Sequence, residues 1–155
     1  MTEFSDLLSH AAVVANLAIS AKKPLFQQLG TIAASAYSLD AAEVTNALAT
    51  REKLGSTGFG GGVATPHGRI EGLPQVVGIF ARLAQPIDFK AVDDMPVDIV
   101  FALLSPPDAG ALHLKALALV SRSLRDRAFV AKLRGAGSPD ALYALFSTGE
   151  ARDAA

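Results

Sequence analysis

The chain has 155 residues, half of them hydrophobic, which is the length and composition of about one globular domain with one core. Its 14 basic and 15 acidic residues nearly cancel, so we expect neither nucleic acid nor an anionic membrane as the main partner. No apolar stretch approaches the roughly 20 residues that a membrane span needs, and the N-terminus lacks the basic segment of a secretory signal. The absence of cysteine excludes disulfides and thiolate chemistry. We therefore expect a cytoplasmic protein without membrane insertion.

The N-terminal third predicts an edge strand followed by two helices. Val13–Ala18 is a brief apolar run of strand length. Ser20 is placed to cap a helix that runs to about Tyr37, with apolar residues at helical spacing. Asp40 can cap a second helix that ends near Gly55, and an acidic residue three positions after Asp40 completes a capping-box-like pair.

The middle of the chain predicts strands. The segment Gly58–Gly62 is rich in glycine and suits a turn or hairpin. Four apolar or extended segments are strand candidates: Val63–Thr65, Gln75–Leu83, Pro86–Phe89 and Val97–Leu104. The last of these is nearly all apolar, as is typical of a central buried strand.

The C-terminal third returns to helices. Asp108 or Gly110 opens a helix with four residues on one face, namely Leu114, Leu117, Ala118 and Ser121, and short helices follow near residues 127–133 and 139–146. Helices, then strands, then helices predict an α/β fold, a single-domain sandwich with a central mixed β-sheet flanked by helices. We expect one domain over residues 1–155, with a tail that frays from about residue 148.

His67 is the first candidate for chemistry. Pro66 fixes the approach of the chain, and Gly68 leaves space beside the ring. A nucleophilic imidazole must be neutral, open at one nitrogen and oriented through the other, and a rigid strand end meets these needs. The tripeptide alone is more typical of a surface histidine in an ordinary turn.

The other two histidines carry different expectations. His113 lies near the start of the helix after the central strand, where anionic ligands bind in α/β proteins. A partly exposed helical histidine is the alternative interpretation. His10 lies in the N-terminal segment, and we expect it to be solvent-facing and structural.

Three more residues could contact a phosphate. Arg51, near the end of the second helix, has a guanidinium fork that matches phosphoryl oxygens, although a C-terminal arginine also favours the helix dipole. The hydroxyls of Ser56 and Thr57 could donate to the same group or serve the turn.

Other site classes lack support. A zinc site needs about three or four protein ligands, and the sequence has no HExxH. The glycine run lacks the Lys-Ser/Thr of a P-loop, and GxSxG is absent. We expect no metal and no cofactor. Asp93 and Asp94 form an acidic cluster with Asp98, expected to face solvent, with a partnered, buried Asp98 as the alternative.

Taken together, four segments resemble the enzyme IIA proteins of the phosphoenolpyruvate-dependent phosphotransferase system, of the fructose/mannitol type and in particular their nitrogen-regulatory subgroup. The segments are Arg51–Gly58, Gly62–Gly68, Pro96–Pro106 and His113–Arg122. The similarity covers essentially the whole chain in order. The sequence departs from the usual pattern at Gly61, where Asn is frequent, at Thr65, where an aliphatic residue is usual, and at Arg69, where Lys is common.

The resemblance implies a function. It makes His67 the phospho-acceptor, His113 the second active-site histidine and Arg51 the phosphate-contacting arginine. It implies an HPr-like phosphocarrier as donor, and downstream targets such as sensor kinases or potassium transporters. A phosphoryl-transfer component of this kind acts mainly as a regulator of nitrogen, potassium or carbon metabolism.

Two alternatives stay open at this point. One is a sugar-specific IIA component that passes its phosphoryl group to a IIB protein. The other is a binding module that is never phosphorylated. For the phosphorylated forms, we expect an apolar rim near Phe59, Val63 and Ile70, where the added negative charge would repel or recruit a target.

Overall fold

A computed structural model describes residues 3–148 of the chain. Its elements, in chain order, are α1 (Phe4–Leu7), β1 (Leu8–Leu17), α2 (Lys22–Tyr37), α3 (Ala41–Glu52), β2 (Gly58–Gly60), β3 (Val63–Ala64), β4 (His67–Arg69), β5 (Val77–Ile87), β6 (Val97–Ser105), α4 (Ala111–Arg125), α5 (Arg127–Gly135) and α6 (Pro139–Ser147). The tail predicted to fray lies outside the described residues, apart from residue 148 itself. None of the helices within residues 3–148 is long and apolar enough to cross a bilayer.

The strands of this region form one mixed sheet. Its order is β1-β5-β6-β3-β2, and the short strand β4 also pairs with β6. β6 runs antiparallel to β5 but parallel to β3 and β4, while β1 is parallel to β5. Helices α2 and α3 pack against each other, and α4, α5, α6 and α1 contact one another in succession. The predicted α/β sandwich with a central mixed sheet and flanking helices is confirmed.

An aromatic cluster links the sheet to the C-terminal helices. Phe80 of β5 pairs with Phe101 of β6, and both rings contact Phe146 of α6 at centroid distances of 5.0 and 5.5 Å. All three side chains are at most 4% exposed. Burial of each such ring contributes about 1.5–3 kcal/mol, so this cluster anchors α6 to the central strands.

The first helices follow the sequence prediction in outline. Asp40 caps α3 and its carboxylate accepts the Glu43 amide at 3.0 Å, as predicted. The predicted cap at Ser20 is wrong: α2 begins at Lys22 with Ala21 in the cap position, and no side chain caps it. Ser20 lies one residue too early in the chain to serve as the cap. Helix α3 ends at Glu52, three residues before the predicted Gly55.

The strand predictions were correct in position and too short in several places. β1 begins at Leu8 rather than Val13, because the polar residues Ser9 and His10 interrupt the apolar pattern of its first half. It lies at the sheet edge, as expected. β5 runs on to Ile87, so the extended piece predicted to begin at Pro86 is its continuation. The hairpin predicted around the glycines is present as the antiparallel pair β2 and β3.

The residues predicted to share a face of α4 are not its most buried ones, although Leu117 packs against the core. Leu114 is 66% exposed, whereas the buried positions of α4 are His113, Ala116, Leu119, Val120, Ser123 and Leu124. The two faces have similar apolar content, so helical spacing alone did not distinguish them. This rotation turns His113 inward, which bears directly on the site.

Candidate functional site

His67 is the first residue of the three-residue strand β4. It pairs with Leu103 of β6, whose amide donates to the Pro66 carbonyl at 2.9 Å. Gly68 follows, and a Cβ at this position would lie 3.0 Å from the Cβ of Ala47 in α3. The strand therefore lies against α3 with no room for a side chain, which brings His67 close to the end of that helix.

Arg51, in the last turn of α3, contacts His67 directly. Its Nε–H donates to Nε2 of His67 at 3.1 Å, and its Nη1 donates to the Gly55 carbonyl at 2.9 Å. The next residue, Glu52, accepts hydrogen bonds from Lys22 at 3.0 Å and from the amide of Thr57 at 3.0 Å. Because α2 and the turn are both tied to the end of α3, the guanidinium is held in place beside the ring.

The hydrogen bonds of His67 define its tautomer. Nδ1 lies 3.0 Å from the Thr65 carbonyl oxygen, which can only accept, so the ring proton is on Nδ1 and Nε2 carries a lone pair. Burial lowers the pKa of His67 below its ordinary value, and the charges of Arg51 and Arg69 lower it further, against the hydrogen bond to Thr65 and the charge of Glu52. The ring is therefore neutral near pH 7, and Nε2, whose lone pair accepts from Arg51, is its nucleophilic nitrogen.

His113 lies beside the first histidine. The ring centroids of His67 and His113 are 5.6 Å apart, with the planes inclined by 54°. Nδ1 of His113 is 2.5 Å from Oγ of Ser105, at the end of β6. Burial, with the charges of Arg69 and His67, lowers the pKa of His113 to about 4, so this ring is also neutral near pH 7.

The two rings open onto one pocket of about 630 Å³. It is lined by Glu43, Asn46, Ala47, Thr50, Arg51, Leu54, His67, Gly68, Arg69 and His113. Arg69 stands at its wall, where Nη1 donates to the carbonyls of Pro106 and Pro107 at 3.3 and 3.4 Å. Two arginines beside two neutral imidazoles suit an anion of phosphate size. The structure thus brings together His67, His113 and Arg51, as the sequence predicted.

Ser56 and Thr57 are placed differently. The buried Thr57 hydroxyl donates to Glu52 at 2.7 Å, and Ser56 Oγ accepts the Gly58 amide at 3.1 Å. Neither residue lines the pocket that contains His67. Their present contacts hold the turn, and a phosphate-binding role for them stays a prediction.

The apolar surface beside the histidines differs from the sequence prediction. The apolar rim expected near Phe59, Val63 and Ile70 is wrong, because the last two are each 1% exposed. Exposed leucines stand near the histidines instead: Leu54 in the pocket wall, and Leu112 and Leu114 on either side of His113.

The acidic cluster and His10 have structural partners. Both carboxylate oxygens of Asp98 accept from Arg134 Nε, at 3.2 and 2.9 Å, so Asp98 is partnered rather than solvent-facing. Asp93 accepts the Gly61 amide at 3.0 Å. His10 is exposed, as expected, and its Nε2 lies 3.0 Å from Asp140 of α6.

Two residues at the site were missed in the sequence. Ser105 follows the predicted strand Val97–Leu104 and received no predicted role, although a polar residue there faces the start of the following helix. Glu52 also received no predicted role, yet its side chain is 6% exposed. Within residues 3–148, no three His, Cys, Asp or Glu side chains are grouped to hold a metal ion.

A histidine pair with an arginine, beside a mixed sheet flanked by helices, defines an α/β protein whose paired imidazoles share one pocket with guanidinium groups. The particular family is given by comparison: residues 6–149 match the model described as "Phosphoenolpyruvate-dependent sugar phosphotransferase system, EIIA 2". The chain belongs to this family of phosphotransferase-system IIA proteins.

Its relatives within the family include regulatory proteins. The chain is 43% identical over 143 residues to a nitrogen regulatory protein of Bradyrhizobium diazoefficiens, covering 92% of this chain and 94% of that one. It is 38% identical over 149 residues to the nitrogen regulatory protein of Escherichia coli K12, covering 96% and 91%. The crystal structure of nitrogen regulatory protein IIA-Ntr from Neisseria meningitidis matches with a TM-score of 0.86 and 35% identity, over 92% of this chain and 97% of that one. The chain is therefore a IIA protein of the regulatory kind.

Proposed function

We propose that this protein accepts a phosphoryl group on Nε2 of His67 from an HPr-like phosphocarrier that is itself phosphorylated on histidine. The observation that carries the proposal is the pair of contacts on His67. Thr65 holds the proton on Nδ1, while Arg51 approaches the lone pair of Nε2 at 3.1 Å. One nitrogen is thereby oriented and the other is nucleophilic, with a cation already at the position of the incoming charge.

The transfer needs no acid or base on the acceptor. The Nε2 lone pair attacks phosphorus, the new N–P bond forms as the bond to the donor imidazole breaks, and the donor nitrogen keeps the electron pair. The transition state is loose, with negative charge on the equatorial oxygens. For attack, the Arg51 N–H turns from Nε2 to these oxygens, and His113 supplies a second contact.

The proposed regulation of target binding follows from the negative charge of the phosphoryl group. A phosphoryl group adds nearly two negative charges to a pocket whose lining contains two arginines, Arg51 and Arg69, and one carboxylate, Glu43. We propose that this change selects between targets that dock on the exposed leucines around it. We propose that the protein acts in the cytoplasm and regulates nitrogen, potassium or carbon metabolism through targets such as sensor kinases or potassium transporters.

The test of the acceptor is an intact-mass measurement. The purified protein is mixed with phosphoenolpyruvate, the first enzyme of the system and its phosphocarrier, beside the variants His67→Ala and His10→Ala. We expect one added phosphoryl group on wild type and on His10→Ala, and none on His67→Ala. A folded wild type that takes no phosphoryl from several cognate donors would leave a binding module as the better account.

The family name also favours a second function, that of a sugar-specific IIA component. The phosphorylated protein distinguishes the two when it is mixed with fructose- or mannitol-type IIB proteins. Regulation predicts that the phosphoryl group stays on His67 or returns to the phosphocarrier. Rapid loss to a IIB protein would favour sugar uptake.

A further inference from the structure

The hydroxyl of Ser105 meets His113 in a closed environment. Ser105 is fully buried at the end of β6, and His113 is 5% exposed. Their contact, Oγ to Nδ1, is 2.5 Å long. Among the described residues, this is the one hydrogen bond of the Ser105 hydroxyl. The positions of the Ser105 hydroxyl proton and of the His113 ring proton are therefore set by the contact between these two groups, because bulk water does not reach it.

Only one distribution satisfies both groups. A neutral imidazole has one N–H, and a hydroxyl has one donor hydrogen. If Nδ1–H donated to Oγ, the serine hydrogen would be buried without an acceptor, which carries a desolvation cost. If the serine donates to Nδ1, the hydroxyl is satisfied and the ring proton lies on Nε2.

The same arrangement suits the chemistry of the pocket. With Nδ1 turned to the interior, Nε2 is the nitrogen left for a group on His67. A phosphoryl group has oxygens that only accept hydrogen bonds, so it is stabilised by an N–H and repelled by a lone pair.

We propose that Ser105 is a positioning residue that holds His113 as the Nε2–H tautomer and so supplies an N–H donor to the phosphoryl group on His67. The inference rests on the proposed function for the presence of that group. The tautomer itself is a property of the unphosphorylated protein and can be measured alone.

The first readout is nitrogen NMR of the unphosphorylated protein with ¹⁵N-labelled histidine at pH 7. We expect Nδ1 of His113 to resonate as an unprotonated imidazole nitrogen and Nε2 as a protonated one. In Ser105→Ala we expect both signals to shift toward a mixture of tautomers. Ser105→Thr keeps the hydroxyl and is expected to restore the wild-type pattern.

The second readout is the rate of phosphoryl acceptance. Ser105→Ala should slow it by about three- to tenfold, which is the worth of one buried hydrogen bond. Ser105→Thr should recover most of the rate. Ser123→Ala, at the other fully buried serine of this region, is the matched control and should retain it.

Two results would overturn the inference: a wild-type His113 protonated on Nδ1, or a Ser105→Ala variant with unchanged tautomer and rate. Absence of phosphorylation in wild type would instead remove the proposed function, and the tautomer measurement on the same sample would still decide the role of Ser105.

Discussion

At the scale of single residues, the site depends on keeping two histidines neutral beside two arginines. His67 and His113 are both largely removed from water, and burial is the main cause of their lowered pKa values. The nearby guanidinium groups act in the same direction. In the proposed function, the positive charge that would attract a phosphoryl group also keeps the ring of His67 unprotonated.

The geometry of the Arg51 side chain leads to a first prediction. Arg51→Lys keeps the charge but loses the planar fork that reaches both His67 and the Gly55 carbonyl. We expect phosphoryl acceptance to fall about 10- to 100-fold, within the range for loss of a transition-state contact, at nearly unchanged stability. Arg127→Gln, which removes an exposed arginine elsewhere, is the control. A wild-type rate in Arg51→Lys would show that a point charge is sufficient.

The pH dependence of stability is a second prediction. The pKa of His113 is about 4 in the folded protein, against about 6.5 in an unfolded chain. The unfolded chain therefore binds the additional proton first as pH falls. His113 costs no stability above pH 6.5, lowers stability progressively between pH 6.5 and pH 4, and adds no further loss below that.

Urea unfolding of wild type and His113→Gln checks the predicted loss of stability as pH falls. The two proteins should differ by a constant amount above pH 6.5, and wild type should then lose roughly 1–3 kcal/mol more than the variant on the way to pH 4. Parallel stability curves over this range would contradict the assignment of a neutral, buried His113.

At the scale of elements, the site is set by the spacing between β4 and α3. The strand carries His67 and the helix carries Arg51, and Gly68 allows the two to approach. A Cβ at Gly68 would lie 3.0 Å from the Ala47 Cβ and 3.2 Å from its backbone carbon. Since that neighbour is the body of a helix, it cannot yield as a flexible side chain would.

Gly68→Ala should therefore separate β4 from α3. We expect a loss of about 1–3 kcal/mol in stability, with slower phosphoryl acceptance as His67 moves away from Arg51. Gly137→Ala is a matched control, because its added Cβ would meet no atom within 4 Å. Unfolding in urea and the transfer rate are measured for both variants. Equal behaviour of the two would mean that β4 can shift without consequence.

These elements also show how much of the fold and of the site could be predicted from the sequence. The long apolar strands and the Asp40 cap leave local signals, and β6 was predicted to within one residue. β4 has no such local signal in the sequence, since this three-residue strand is stabilised only by its parallel pairing with β6. The packed face of α4 was missed because His113 is buried there. Ser105 and Glu52 gained their roles from distant partners, which no local pattern indicates.

At the scale of the whole molecule, exposed leucines stand in the pocket wall and next to His113 in the chain. Leu54, Leu112 and Leu114 are 82%, 58% and 66% exposed, near the two histidines. Exposed leucines clustered around a reactive group are typical of a protein-docking surface. A phosphocarrier must bring its own histidine to Nε2, so contact over this surface is expected.

Leu54→Glu tests this docking role. Since the side chain is exposed, we expect a change in stability within about 0.5 kcal/mol, while the KM for the phosphocarrier rises and kcat changes little. Val92→Glu removes another exposed residue, 78% accessible and outside the pocket wall, as control. A lower kcat at constant KM in Leu54→Glu would show that the leucine acts on the chemistry rather than on docking.

The central claim is that Nε2 of His67 receives the phosphoryl group. The most direct measurement is phosphorus–nitrogen correlation NMR on the phosphorylated protein with ¹⁵N-labelled histidine. The account predicts one phosphorus coupled to Nε2 of His67, with Nδ1 still protonated toward Thr65. Coupling to Nδ1, or to a nitrogen of His113 or His10, would contradict it.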